Sequence, residues 1–122
     1  MPTDPRRLTC HVLDVTAGLP AAGIPVGLVR LDGPDAGPVC SVRTNADGRT
    51  DGPLLAGDAM VPGRYELTFA VGDHFAATLG ATDPAERYLD DVPVRFRVGP
   101  GATHLHVALL VTPFSYTTYR GS

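Results

Sequence analysis

Apolar and polar residues alternate with a period of two along most of this 122-residue chain, and helical periodicity is nearly absent. In "RYELTFAV", Tyr65, Leu67, Phe69 and Val71 share one side, with Glu66, Thr68 and Ala70 on the other. "VPVRFRV" repeats the pattern, with Val92, Val94, Phe96 and Val98 set against Pro93, Arg95 and Arg97. "TCHVLDV", "PVGLVRL", "PVCSVRT", "HLHVALLV" and "SYTTY" read as further strands. Segments rich in Gly, Pro, Asn and Asp separate them, such as "TAGLPAAG", "DGPDAG", "NADGRTDG" and "VGPGA". Only "GDHFAATLGA" reads as a short helix, with Asp73 as its expected N-cap. Short strands punctuated by turns every roughly 8–12 residues predict an all-β sandwich of two sheets.

One strand departs from the usual scheme. If Leu105, Val107, Leu109 and Val111 face the core, the other side carries His104, His106, Ala108 and Leu110. A solvated face normally carries charged residues or Thr. Two imidazoles, a methyl group and a Leu predict instead a face covered by another subunit.

Composition narrows the function. The net charge of −3 comes without any basic patch, which argues against nucleic acid and anionic membranes as partners. The length suits a single domain over residues 1–122, with 1–7 expected to be flexible. All ten basic residues are Arg, a bias that fits a GC-rich bacterial source. Cys10 and Cys40 make no disulfide framework and are expected to be free thiols. The N-terminal segment has no apolar run suited to a signal peptide, so the expected location is cytoplasmic.

His104 and His106, two residues apart on a strand, share a face. Such a pair serves as hydrogen-bonded packing, as an acid–base pair, or as half of a metal site that needs further ligands, for which His11 is a candidate. "NADGRTDG" reads as a tight turn, either a plain hairpin loop with Arg49 in solvent or one that presents Arg49 as a fixed cation; it lacks the ligand spacing of a calcium loop. No phosphate loop, dinucleotide fingerprint or nucleophile elbow is present. His74, in the helical segment, is expected at the surface. The chain ends in "FSYTTYRGS", a strand-like run continuing to Ser122, which reads either as an ordinary disordered end or as a hydroxyl and carboxylate at one point.

Four segments taken in order, "HVLDVTAGLPAAGIPVGL", "TNADGR", "YELTFAVGDHF" and "HLHVALLVTPFSYTTYRGS", resemble the transthyretin-like 5-hydroxyisourate hydrolases, from about Leu8 to Ser122. The terminal Tyr-Arg-Gly-Ser is that family's hallmark and sets it apart from the hormone-carrying transthyretins. The resemblance implies a sandwich of two four-stranded sheets with one short helix. It implies a homotetramer, a dimer of dimers, with active sites between dimers. It implies hydrolysis of 5-hydroxyisourate to 2-oxo-4-hydroxy-4-carboxy-5-ureidoimidazoline in urate breakdown, without metal or organic cofactor.

The implied catalytic residues are His11, Arg49, His106 and Ser122, with Tyr119, Arg120 and Gly121 completing the substrate site and His104 behind it. The family usually places Tyr and Pro where this chain has Leu105 and Ala108. Alternation turns Leu105 away from the histidine face, whereas Ala108 lies on it. Rival readings are a small-ligand carrier, a structural sandwich module and a zinc hydrolase.

Overall fold

The computed structural model describes residues 4–80 and 83–121 and shows two packed sheets. The first is built on β1 (Arg7–Asp14), which lies parallel to β8 (His104–Val111); β8 pairs in turn with β9 (Tyr116–Gly121). The second runs β4 (Gly37–Arg43), β3 (Pro25–Arg30), β6 (Gly63–Ala70), β7 (Asp91–Val98), antiparallel throughout. The alternation read from sequence becomes the core. Leu8, Cys10 and Val12 from β1 and Val107, Leu109 and Val111 from β8 meet Val26, Leu28, Leu67, Phe69 and Val92 of the opposite sheet. Period-two strands must do this, because successive side chains point to opposite sides.

The first sheet has a fifth, two-residue strand beyond the expected four. The free edge of β1 is shared by β5 (Leu55–Ala56) at its start and β2 (Leu19–Pro20) at its end. Between them the 45–49 turn closes onto the strand: Val12 N–H donates to the Gly48 carbonyl at 2.8 Å, and His11 and Arg49 form an isolated antiparallel bridge. Pairs as short as β2 and β5 carry no readable period; β2 lies within the "TAGLPAAG" turn segment, and β5 in a stretch read as neither strand nor turn.

The one α-helix, α1 (Gly72–Leu79), forms as expected, but Val71 takes the cap position and Asp73 lies in the first turn. There its negative charge still complements the helix dipole. His74 is not a free surface residue. Its Nε2 lies 2.8 Å from Oδ2 of the buried Asp14, tying α1 to the end of β1. Both cysteines are free, and burial pushes the Cys10 thiol up to about 12. Arg6, just ahead of β1, pairs with Asp4 and Asp58 at 2.8 and 2.9 Å. Among the described residues, no helix is long and apolar enough to cross a membrane.

Candidate active site

The outward side of the first sheet gathers the chemistry. The parallel register sets Thr9 beside His106 and His11 beside Ala108, while the antiparallel register sets Gly121 beside His106 and Tyr119 beside Ala108. Directly paired residues share a face, so Thr9, His11, His104, His106, Tyr119 and Gly121 all emerge on one side. The His11 and His106 ring centroids are 6.5 Å apart, and those of His104 and His106 are 5.9 Å apart.

Arg49 reaches this group through the construction of its turn. Asn45 Oδ1 accepts from the Asp47 and Arg49 amides at 2.9 and 3.2 Å, and the Asn45 amide donates to the Arg49 carbonyl at 2.6 Å. Gly48 sits in the left-handed region at φ +74°, pressed against the Val12 carbonyl where a Cβ has no room. The turn therefore packs flat on β1 and delivers Arg49 next to His11. A cleft of about 430 Å³ opens there, lined by Arg7, Thr9, Arg49, His104, His106 and the Thr50–Pro53 loop. A volume of about 300–1,000 Å³ is usual for a small-molecule site.

The electrostatics of the cleft are set by burial and by cations. Partial burial first, then Arg49, His104 and His11, hold the His106 imidazolium form down, so its pKa falls below the ordinary value. Burial and then Arg7 do the same to His104. These rings stay neutral, and therefore able to accept a proton, at lower pH than a free imidazole.

Gly121 lies so close to His106 that a methyl group in its place would run into the imidazole ring. The expected substrate residues divide by register. Tyr119 and Gly121 share the His106 face, whereas Arg120 pairs with Val107 and projects to the other side, lining a recess of about 270 Å³ with Phe96, Leu105 and Thr118. Leu105 likewise packs toward the core and Ala108 stands on the histidine face, as alternation requires. Ser122 lies outside the described residues. No motif marks Thr9, although its spacing of two from His11 places it on the same face. Among the described residues, no cluster of three or more His, Cys, Asp or Glu side chains is arranged to hold a metal ion.

The family model described as HIUase/Transthyretin family matches residues 8–121. The chain belongs to this family. It is 50% identical over 115 residues to a protein of Deinococcus radiodurans named 5-hydroxyisourate hydrolase, covering 94% of this chain and 95% of that one. A protein of the same name from Mus musculus is 38% identical over the whole of both chains. Among solved structures, Klebsiella pneumoniae 5-hydroxyisourate hydrolase superposes with a TM-score of 0.77 at 32% identity, over 96% of this chain and 99% of that one. (S)-Allantoin synthase superposes with a TM-score of 0.87 at 42% identity over all of this chain, which spans 46% of that larger protein.

Proposed function

We propose that the chain is a hydrolase that opens the ring of 5-hydroxyisourate at an amide bond, giving 2-oxo-4-hydroxy-4-carboxy-5-ureidoimidazoline. The observation that carries this reading is the meeting of His11, His106 and Arg49 on one sheet face beside a cleft, in a chain half identical to proteins named for that activity.

Amide hydrolysis needs three things. A water must lose a proton as its oxygen bonds to the carbonyl carbon. The carbonyl oxygen must carry the developing negative charge. The departing ring nitrogen must gain a proton as its bond to carbon breaks. His106 and His11 handle the protons, the water's proton passing to an imidazole and a proton returning to the nitrogen. Arg49, exposed at the rim and fixed by its turn, binds the polar ring and faces the oxyanion. Tyr119 and Gly121 border the site from β9, and Ser122 is assigned the task of orienting a histidine or the water. Arg120 is also assigned to substrate binding, which its place on the opposite face of β9 allows only by its long side chain folding around the strand edge, and no resident metal or cofactor takes part.

We further infer a homotetramer, a dimer of dimers, with this face buried between dimers. Half-buried Leu13 and Leu110, buried Ala108 and exposed Tyr119 form an apolar surround to the histidines that suits a second copy of the chain. A cytoplasmic location belongs to the same reading.

The test follows ultraviolet absorbance of freshly generated 5-hydroxyisourate with the wild type beside His106→Ala. The wild type should speed the decay, and the variant should lose roughly 10²–10⁴-fold in kcat, the usual worth of general acid–base help. A wild type that leaves the decay unchanged would end the hydrolase reading and favour a small-ligand carrier.

A further inference from the structure

Thr9 makes two contacts that the reaction scheme above does not use. Its Oγ1 lies 2.7 Å from Nδ1 of His106 and 2.8 Å from Nε2 of His104. A hydroxyl has one proton to give and two lone pairs to receive with. It cannot donate to both rings, so at least one ring must donate to it. The direction of this short chain decides which nitrogen of His106 carries hydrogen.

If Nδ1–H of His106 donates to Thr9, Nε2 is left as a bare lone pair on the far side of the ring, available to take a proton. If Thr9 donates to His106, Nδ1 is the acceptor, Nε2 carries the hydrogen, and the ring is no base toward the cleft. Resting on the hydrolase reading, we propose that Thr9 is a positioning residue, accepting from His106 Nδ1–H and donating to His104 Nε2. It thereby fixes His106 in the tautomer and orientation of a general base. His104 then has a function without touching substrate. It accepts the hydrogen bond from the Thr9 hydroxyl and so turns the Thr9 lone pair toward His106. The register supports this arrangement, because β1 and β8 are parallel and set Thr9 directly beside His106 on the shared face.

The two directions predict opposite titrations. An acceptor at Nδ1 favours the imidazolium, since a hydrogen bond to the charged form stabilises it. Removing that acceptor lowers the pKa of His106. Removing a donor at Nδ1, which favours the neutral ring, raises it. Among the described residues, the other charged or titratable groups around His106 are His11 and Arg7 on β1, His104 on β8, Arg49 and Asp51 from the 45–53 loop, Tyr119 and Arg120 on β9, and Arg95 and Arg97 on β7. All are present in the wild type and in Thr9 variants alike, so they leave the sign of the change intact.

The experiment is nitrogen-15 NMR of the histidine rings across pH in the wild type, Thr9→Val and Thr9→Ser, with kcat and KM measured for each. The wild type should show neutral His106 protonated at Nδ1. Thr9→Val should lose that preference, titrate at lower pH, and fall roughly 10–100-fold in kcat, a part of what acid–base help is worth, with KM little changed. Thr9→Ser, which keeps the hydroxyl, should restore all three. A wild-type His106 protonated at Nε2 would overturn the proposal without any variant having to fold. So would a higher His106 pKa in Thr9→Val, or a kcat left unchanged by it. The NMR readings stand even if the wild type proves inactive on 5-hydroxyisourate, so failure of the proposal and failure of the hydrolase reading can be told apart.

Discussion

At the scale of single residues, the cations around His106 make a kinetic prediction. Catalysis requires a neutral His106, and burial together with Arg49, His104 and His11 disfavours its protonation. kcat/KM should therefore rise with pH through a midpoint below the ordinary imidazole value of about 6.5 and then level off. Arg49→Gln removes the second-largest cause after burial, so the normalised acid limb should move up toward 6.5 while the rate itself falls. A wild-type limb at or above 6.5 would show that burial and these neighbours do not govern the base, and one that Arg49→Gln leaves in place would show that Arg49 does not. Alternation placed His104 and His106 on one strand face and turn residues singled out Arg49, whereas grouping them with His11 came only from the family resemblance. His74 was not legible in the same way. Its partner Asp14 is 60 residues away, and only the docking of α1 on the end of β1 brings the two within 2.8 Å.

At the scale of elements, two glycines show how the backbone aims the side chains. Gly48 lets the 45–49 turn lie flat on β1. Gly48→Ala forces a side chain into the left-handed region against the Val12 carbonyl and should destabilise the fold by at least about 1–3 kcal/mol, read as a lower urea midpoint. Gly121 works differently. It lies at the end of an edge strand, with the His106 ring as the obstacle. Gly121→Ala should keep nearly the wild-type Tm yet lower kcat by up to about 10²-fold, because a base displaced by about 1 Å loses its line to the water. A variant as active as the wild type would mean that the ring yields without consequence.

The long strands were readable because Tyr65, Leu67 and Phe69, or Leu8, Cys10 and Val12, alternate cleanly with less buried neighbours. The last strand has no such contrast. Every residue from Tyr116 to Arg120 is exposed in the single chain, so only pairing with β8 shows that Tyr119 faces His106 and Arg120 does not.

At the scale of the whole molecule, a site built on the outside of a sheet raises the question of what shields it from bulk water. Electrostatic help at a developing oxyanion is worth most where water is excluded, yet Arg49 and Tyr119 are both exposed in the isolated chain. The apolar residues around the histidines supply an answer if a second copy of the chain covers them. Leu110 tests this. It stands on the same face of β8 as His106, beside Leu13 of β1 and Thr117 of β9, and it contacts none of the proposed catalytic groups through the register. Leu110→Arg places a charge in the proposed contact, where an unpaired buried cation is strongly unfavourable. Light scattering coupled to gel filtration should report a tetramer for the wild type and a smaller species for the variant, and activity should fall with the mass. A fully active monomeric wild type would separate catalysis from assembly and leave the single-chain cleft as the complete site. A variant that stays tetrameric would place the interface on another face, leaving the outward Leu110 to be explained by packing within the chain.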